Sequence, residues 1–183
     1  KDNLLAGTVH VSTRLTGATS LIFNDYSGLR SREKIYHTKE AIVKFSDITT
    51  DVIYAAPSDV TLELSDTLKS QIGETSLAVT DIDYFYDDVL GALKRTVSIV
   101  TANQRADSTV SHYDGPLGYE KVQSVEAFEA DGKLSTVSKY DYENFALKVI
   151  ETFYPRAESP FQRVYFKGMA GEERRDWSYN PIS

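Results

Sequence analysis

Phe128-Glu129-Ala130-Asp131-Gly132-Lys133-Leu134 is the stretch on which the reading of this chain turns. Asp-Gly between two alternating segments is a hairpin signal, because both central positions of a two-residue turn need positive φ. Reading onward, Leu134 to Asp141 alternates as a strand and Tyr142-Glu143-Asn144-Phe145 reverses the chain. Leu147, Val149, Glu151 and Phe153 then oppose Lys148, Ile150, Thr152 and Tyr154, the two-residue period of a strand. Pro155 to Pro160 breaks it, Phe161 to Phe166 is a further strand, and Gly168 to Gly171 is a turn. The tail holds the one tryptophan, Trp177, and reads as an edge strand docked through that ring and ending at Pro181.

Reading backward, an aromatic and an acidic residue run into a turn again at Tyr113-Asp114-Gly115-Pro116-Leu117-Gly118-Tyr119, at Tyr86-Asp87-Asp88-Val89-Leu90-Gly91-Ala92-Leu93 and at Phe23-Asn24-Asp25-Tyr26-Ser27-Gly28-Leu29. Gly7 to Leu15, Ser20 to Phe23, Leu29 to Tyr36, Val60 to Leu64, Thr75 to Thr80 and Lys94 to Val100 are the other β-type segments. Thr38 to Ile48 fits either a helix capped by Thr38 or a strand with Ala41, Val43 and Phe45 inward, and its β-type flanks tilt it to strand. Ser65 to Ile72, with Ser65 as cap, a Leu68/Ile72 pair and Gly73 as stop, is the best candidate for a short helix. The expected fold is mainly β. It is an antiparallel meander of hairpins forming a curved sheet or half-barrel, with one or two short helices. It is expected as a single domain over residues 1–183, with the polar stretch 101–108 as the place for any internal boundary.

Composition narrows the function. The net charge of −7 argues against general nucleic-acid binding, which needs clustered cations. No apolar run approaches the length of a membrane-spanning helix. Absence of cysteine removes disulfides, thiolate ligands and thiol nucleophiles, and suits an extracytoplasmic setting, periplasm or cell surface. Methionine occurs once, at Met169, and the chain begins at Lys1, which reads as a mature or trimmed product.

Two families share features with the turn segments. Tyr113-Asp114-Gly115, Asp131-Gly132-Lys133-Leu134 and Tyr140-Asp141-Tyr142-Glu143-Asn144 resemble the YD repeats of the Rhs family, in which such segments open the hairpins of a long β shell. The intact Tyr-Asp-x-x-Gly-Arg-Leu unit of that family is absent. Phe23 to Glu33 resembles the opening hairpin of LolA-like lipoprotein carriers, whose half-barrel bends around an acyl-chain cavity. That resemblance implies a carrier fold and an apolar ligand.

Candidate chemistry is sparse. His10, His37 and His112 lack metal-ligand spacing. His112 and Asp114 form the one local His/acid pair, but the adjacent Ser111 points to the opposite face, so no triad forms. Asp81, Asp83, Asp87 and Asp88 offer hard oxygens for a calcium ion without the spacing of a helix-loop-helix site; otherwise they are solvated hairpin acids. Asp87, Glu120 and Glu129 are carboxylates whose separation a glycoside hydrolase would have to fix. Arg30, Arg32 and Lys34 make a basic stripe that either meets an anion or faces solvent. Arg174-Arg175 beside Trp177 could stack on or pair with an anion. No cofactor is implied.

The expected function is a non-catalytic extracytoplasmic binding or carrier domain. Its curved sheet would hold an apolar small molecule or lipid, or dock a protein partner, because long meanders curl and leave a concave apolar face. Tyr84, Tyr86, Tyr140, Tyr142, Phe153, Tyr165 and Trp177 are the expected lining. The rival readings are a structural or interaction module of a surface or shell protein, and a hydrolase on a β scaffold.

Overall fold

The computed structural model describes residues 7–13, 18–27, 34–44 and 76–180. Strands β1 (Gly7–Thr13), β2 (Ala18–Ser27), β3 (Lys34–Lys44), β4 (Ser76–Tyr86), β5 (Leu93–Ala102), β6 (Arg105–Asp114), β7 (Lys121–Phe128), β8 (Leu134–Glu143), β9 (Ala146–Phe153), β10 (Gln162–Lys167) and β11 (Arg174–Tyr179) follow one another. Spatial order equals chain order, from β1 to β11, so among the described residues the sheet is open and β1 and β11 each have a single ladder neighbour. The expected antiparallel meander of hairpins is therefore the architecture. No helix occurs among the described residues; Ser65 to Ile72, expected as a helix, and Val60 to Leu64, expected as a strand, lie outside them. The ambiguous segment after Thr38 is strand as far as Lys44.

Two local expectations change. The Asp-Gly turn is a three-residue loop, not a two-residue one. The Gly132 amide donates to the Glu129 carbonyl at 2.8 Å and the Glu129 amide to the Lys133 carbonyl at 2.9 Å. Only Gly132 has positive φ (78°), which is a type I turn closed by a glycine bulge. Two-residue turns with positive φ at both centres occur instead at Asn103-Gln104 (51°, 64°) and Asn144-Phe145 (51°, 67°). Residues 101–108 are thus the tip of the β5–β6 hairpin and its flanks. Finally, Asn24 to Ser27, expected as a turn, continues β2 against β3 through a bulge at Asp25/Tyr26. Ladder pairing outweighs the local turn preference of Asn-Asp.

The chain forms two compact units, Lys1–Tyr84 with Ser98–Ala106, and Phe85–Val97 with Asp107–Ser183. In the first, Ala41 is fully buried and stands between Leu21 and Val79 in the ladder register. Beside it Thr38, also buried, donates from Oγ1 to Asn24 Oδ1 at 2.7 Å, with the Tyr84 hydroxyl 3.5 Å away. In the second unit Ala92, Ala146 and Pro160 are the buried apolar side chains among the described residues. No side chain of β6, β7, β8, β10 or β11 is fully buried. A sheet with one covered face shows alternating buried and exposed positions. Apart from Lys139 to Glu143 of β8, these strands do not alternate in that way, and the unit reads as a single layer half-open on both faces.

Candidate functional site: a repeated turn clamp

Two reversals of the second unit, β6–β7 and β10–β11, are each held by one glutamate. After β6 the chain runs Gly115-Pro116-Leu117-Gly118-Tyr119-Glu120 before β7. Glu120 Oε2 accepts the Gly118 amide at 2.7 Å, and its Oε1 accepts the Leu93 amide at 3.0 Å, at the start of β5. The carboxylate thus ties β7 to β5 past the end of β6. After β10 the chain repeats the device: Glu173 Oε2 accepts Gly171 at 2.8 Å and Oε1 accepts Leu147 at 3.0 Å. The turns match in backbone too. Gly115 and Gly168 have φ of 122° and 123°, Gly118 and Gly171 of 83° and 85°. Tyr119 donates to the Pro116 carbonyl and Glu172 to that of Met169, both at 2.9 Å.

The match extends into the ladders. A bulge at His112/Tyr113 is followed by the pairs Tyr113↔Val122 and Asp114↔Lys121. A bulge at Tyr165/Phe166 is followed by Phe166↔Arg175 and Lys167↔Arg174. β2 and β3 show it a third time, with Tyr26↔Ile35 and Ser27↔Lys34 beyond their bulge. The sequence signal is aromatic-x-Gly-x-x-(Gly or Ser)-x-Glu-(Lys or Arg), at Tyr26 to Lys34, Tyr113 to Lys121 and Phe166 to Arg174. Upstream of the two clamps stand Ala92-Leu93-Lys94 and Ala146-Leu147-Lys148, the buried alanine and the clamped amide in each. The β6–β7 and β10–β11 hairpins, each tied to the start of β5 or β9, are therefore two copies of one clamped device. The aromatic-acidic turns do not reveal it, because the clamp aligns on glycine and glutamate rather than on Tyr-Asp.

A cation links one copy to the next. Lys121, directly after Glu120, donates from Nζ to the Phe145 carbonyl in the β8–β9 turn. Its ammonium lies 4.8 Å from the Tyr142 ring centroid and 5.6 Å from that of Phe145, in cation–π range. Tyr142 reaches back and donates its hydroxyl to the Val122 carbonyl at 2.9 Å. Burial raises the Tyr142 hydroxyl above its ordinary pKa, and Tyr140 and Glu173 add to the rise. Burial likewise raises Tyr140, with a further push from Tyr113. Both remain neutral donors at physiological pH. Around this link lies an open depression of about 430 Å³, lined by Asp114, Tyr119, Lys121, Tyr142 and Phe145 among others.

Phe145 occupies the second centre of a turn in which glycine is the usual residue. Its φ of 67° is costly for a bulky side chain. Phe145→Gly is expected to raise stability in urea denaturation by about 1 kcal/mol, while leaving the Lys121 bond to the main chain possible.

The aromatics expected to share one hollow divide. Cross-strand partners share a face. Val149 pairs with Tyr165, and Tyr165 with Trp177, so these two rings and Phe153, four residues from Val149, lie on one face. Tyr165 and Trp177 stack at 4.1 Å and 11°, the docking expected of the tail. Tyr140 pairs with Ile150, which places it and Tyr142 on the other face. Tyr84 belongs to the first unit and Tyr86 to the second.

The acids also separate. His37 Nδ1 meets Asp83 at 2.9 Å and its Nε2 meets Asp81 at 3.6 Å, while Lys39 lies 3.6 Å from Asp81. Asp87 instead caps its turn, accepting the Val89 and Leu90 amides at 2.9 and 2.7 Å. Asp88 is exposed in that turn. No group of three or more potential metal ligands occurs among the described residues. His112 lies 3.9 Å from Glu126, and Asp114 lies 3.8 Å from Lys94. Arg30 and Arg32 lie outside the described residues. No protein-family model, no curated protein and no solved structure matches this chain.

Proposed function

We propose that the chain is a non-catalytic structural module, a stretch of β wall in a surface or shell protein, which works by presenting sheet to other β structure. The observation that carries this reading is the second unit. It is a single layer whose buried apolar side chains, among the described residues, are Ala92, Ala146 and Pro160, and it is held in register by repeated carboxylate clamps rather than by a thick core. Sheets normally bury a face against another layer. One that leaves both faces half-open is suited to continue into further structure.

The turns at one end of this unit support the reading. Because the strands alternate in direction, the β4–β5, β6–β7, β8–β9 and β10–β11 connections lie at the same end of the sheet. They expose Val89 (88%), Leu90 (67%), Leu117 (57%), Phe145 (65%) and Met169 (73%). Apolar groups clustered on a surface mark contact sites. A cysteine-free chain fits an extracytoplasmic place for such a wall.

A lipid carrier is the rival, and it requires a hollow in which rings converge. Titration with a fluorescent fatty acid separates the two. The wall module is expected to give only weak, non-saturating signal. Saturable one-to-one binding, reversed by unlabelled fatty acid, would establish the carrier instead.

A further inference from the structure

We infer that the free side of β11 is a docking edge for a β-hairpin of the β8–β9 pattern. The hairpin's leading strand would pair antiparallel with β11, and its turn would carry a tyrosine and present a carbonyl to Arg174. The inference rests on the wall reading above and names the partner that such a wall takes.

The argument is positional. β7 and β11 are equivalent strands, preceded by the same turn, the same clamp and the same bulge. The register sets Lys121 against Arg174 and Val122 against Arg175. On β7 both positions are used by the next hairpin: Lys121 caps the Phe145 carbonyl, and the Val122 carbonyl accepts the Tyr142 hydroxyl. On β11 no hairpin follows among the described residues. The Arg174 side chain makes neither a hydrogen bond nor an ion pair among them, and all six residues of the strand are exposed. The neighbouring Arg175 is tied locally, donating from Nη2 to Ser178 Oγ at 2.6 Å. Trp177 and Tyr179 remain half-exposed although Trp177 stacks on Tyr165.

An edge of this kind, with open main-chain groups and large rings, accepts an added strand. Arginine in place of lysine strengthens the match, since its planar fork both caps a carbonyl and stacks on a tyrosine ring. The β4–β5 hairpin has a longer turn, capped by Asp87, and its β4 is already laddered to β3.

The test extends the intact chain after Asn180 with a copy of residues 128–153, which supplies the Glu129–Lys133 loop and the β8–β9 hairpin at high effective concentration. Hydrogen exchange is then followed at residues 174–179. The expected result is at least tenfold slower exchange there than in the unextended chain, lost when the copied strand is scrambled. Arg174→Ser in the extended chain is expected to return at least half of that protection on a logarithmic scale. Unchanged exchange on β11, with the appended segment exchanging as an unstructured tail, would overturn the docking edge. Full protection that ignores Arg174→Ser would overturn the recognition assigned to that side chain. Neither result bears on the fatty-acid titration, so failure of the edge and failure of the wall reading are told apart.

Discussion

Gly115→Ala is expected to destabilise the protein by about 3 kcal/mol, whereas Gly118→Ala, three residues on in the same turn, costs about 1 kcal/mol. Gly115 has φ of +122°, a region in which side-chain-bearing residues are strained. A Cβ added there would stand 2.7 Å from the Tyr119 carbonyl oxygen and 3.2 Å from the Glu120 Cα. Both are main-chain atoms, so no rotamer change relieves the overlap. Residues 119 and 120 must move, and with them the carboxylate that holds Leu93 and Gly118. At Gly118, φ is +83° and a Cβ would meet nothing within 4 Å, so only backbone strain is felt. The second copy makes the same demand, since a Cβ on Gly168 would lie 2.6 Å from the Glu172 carbonyl and one on Gly171 would meet nothing. Urea denaturation of the four single variants should therefore give two large and two small losses. Equal losses within each turn would show that the close approach has no energetic role. A change of about 3 kcal/mol is a large share of an ordinary domain's stability.

The meander was legible because period-two alternation and turn residues are local signals. Leu134 to Asp141 needs no partner to be recognised as a strand. Turn type was harder. The Asp131-Gly132 pair suggested the tighter two-residue loop, yet closure by the Glu129 and Lys133 main chain leaves Asp131 outside the left-handed region. Asn144-Phe145 adopts the turn expected of Asn-Gly because the ladder on both sides fixes the reversal, and the phenylalanine is carried into positive φ. The division of the aromatics followed from register. Tyr140 and Tyr165 both sit on alternating strands, and only the pairings of Ile150 and Val149 show that they point to opposite faces. The clamp was least visible. Glu120 and the amide it holds are 27 residues apart, so composition and periodicity say nothing of the contact. What the chain does offer is the threefold spacing of glycine and glutamate, which acquires meaning once the bulges are seen to coincide.

Acid is expected to weaken the Glu173 clamp. The Glu173 carboxylate is held below its ordinary pKa of 4.5, first by main-chain hydrogen bonds, those from Leu147 and Gly171 among them, and further by the nearby Lys121 ammonium. A carboxylate whose pKa is lower in the folded state than in the unfolded one stabilises the fold above the unfolded value. That stabilisation is complete above about pH 5 and drains as pH falls through 4.5 and on through the lower folded value. Protonation leaves one oxygen as a donor where the site offers only amide hydrogens. Glu173→Gln imitates that state at every pH: one oxygen still accepts, but the amide nitrogen now faces the Leu147 or Gly171 hydrogen. The variant is expected to melt several degrees below the parent at pH 7. The gap should narrow steadily as pH falls through 4.5 and on through the lower folded value, because the protonated parent carries the same defect. Glu120→Gln is the matching variant of the first copy, and the double substitution should lose at least the sum of the two at pH 7. Lys121 joins the copies, since it follows one clamp and holds down the pKa of the other. Lys121→Met should therefore shift the acid transition of Glu173 upward while leaving the glutamate in place. Melting curves between pH 3 and 7 decide the matter: a constant gap between parent and Glu173→Gln across that range would mean that the carboxylate's charge contributes nothing to the turn.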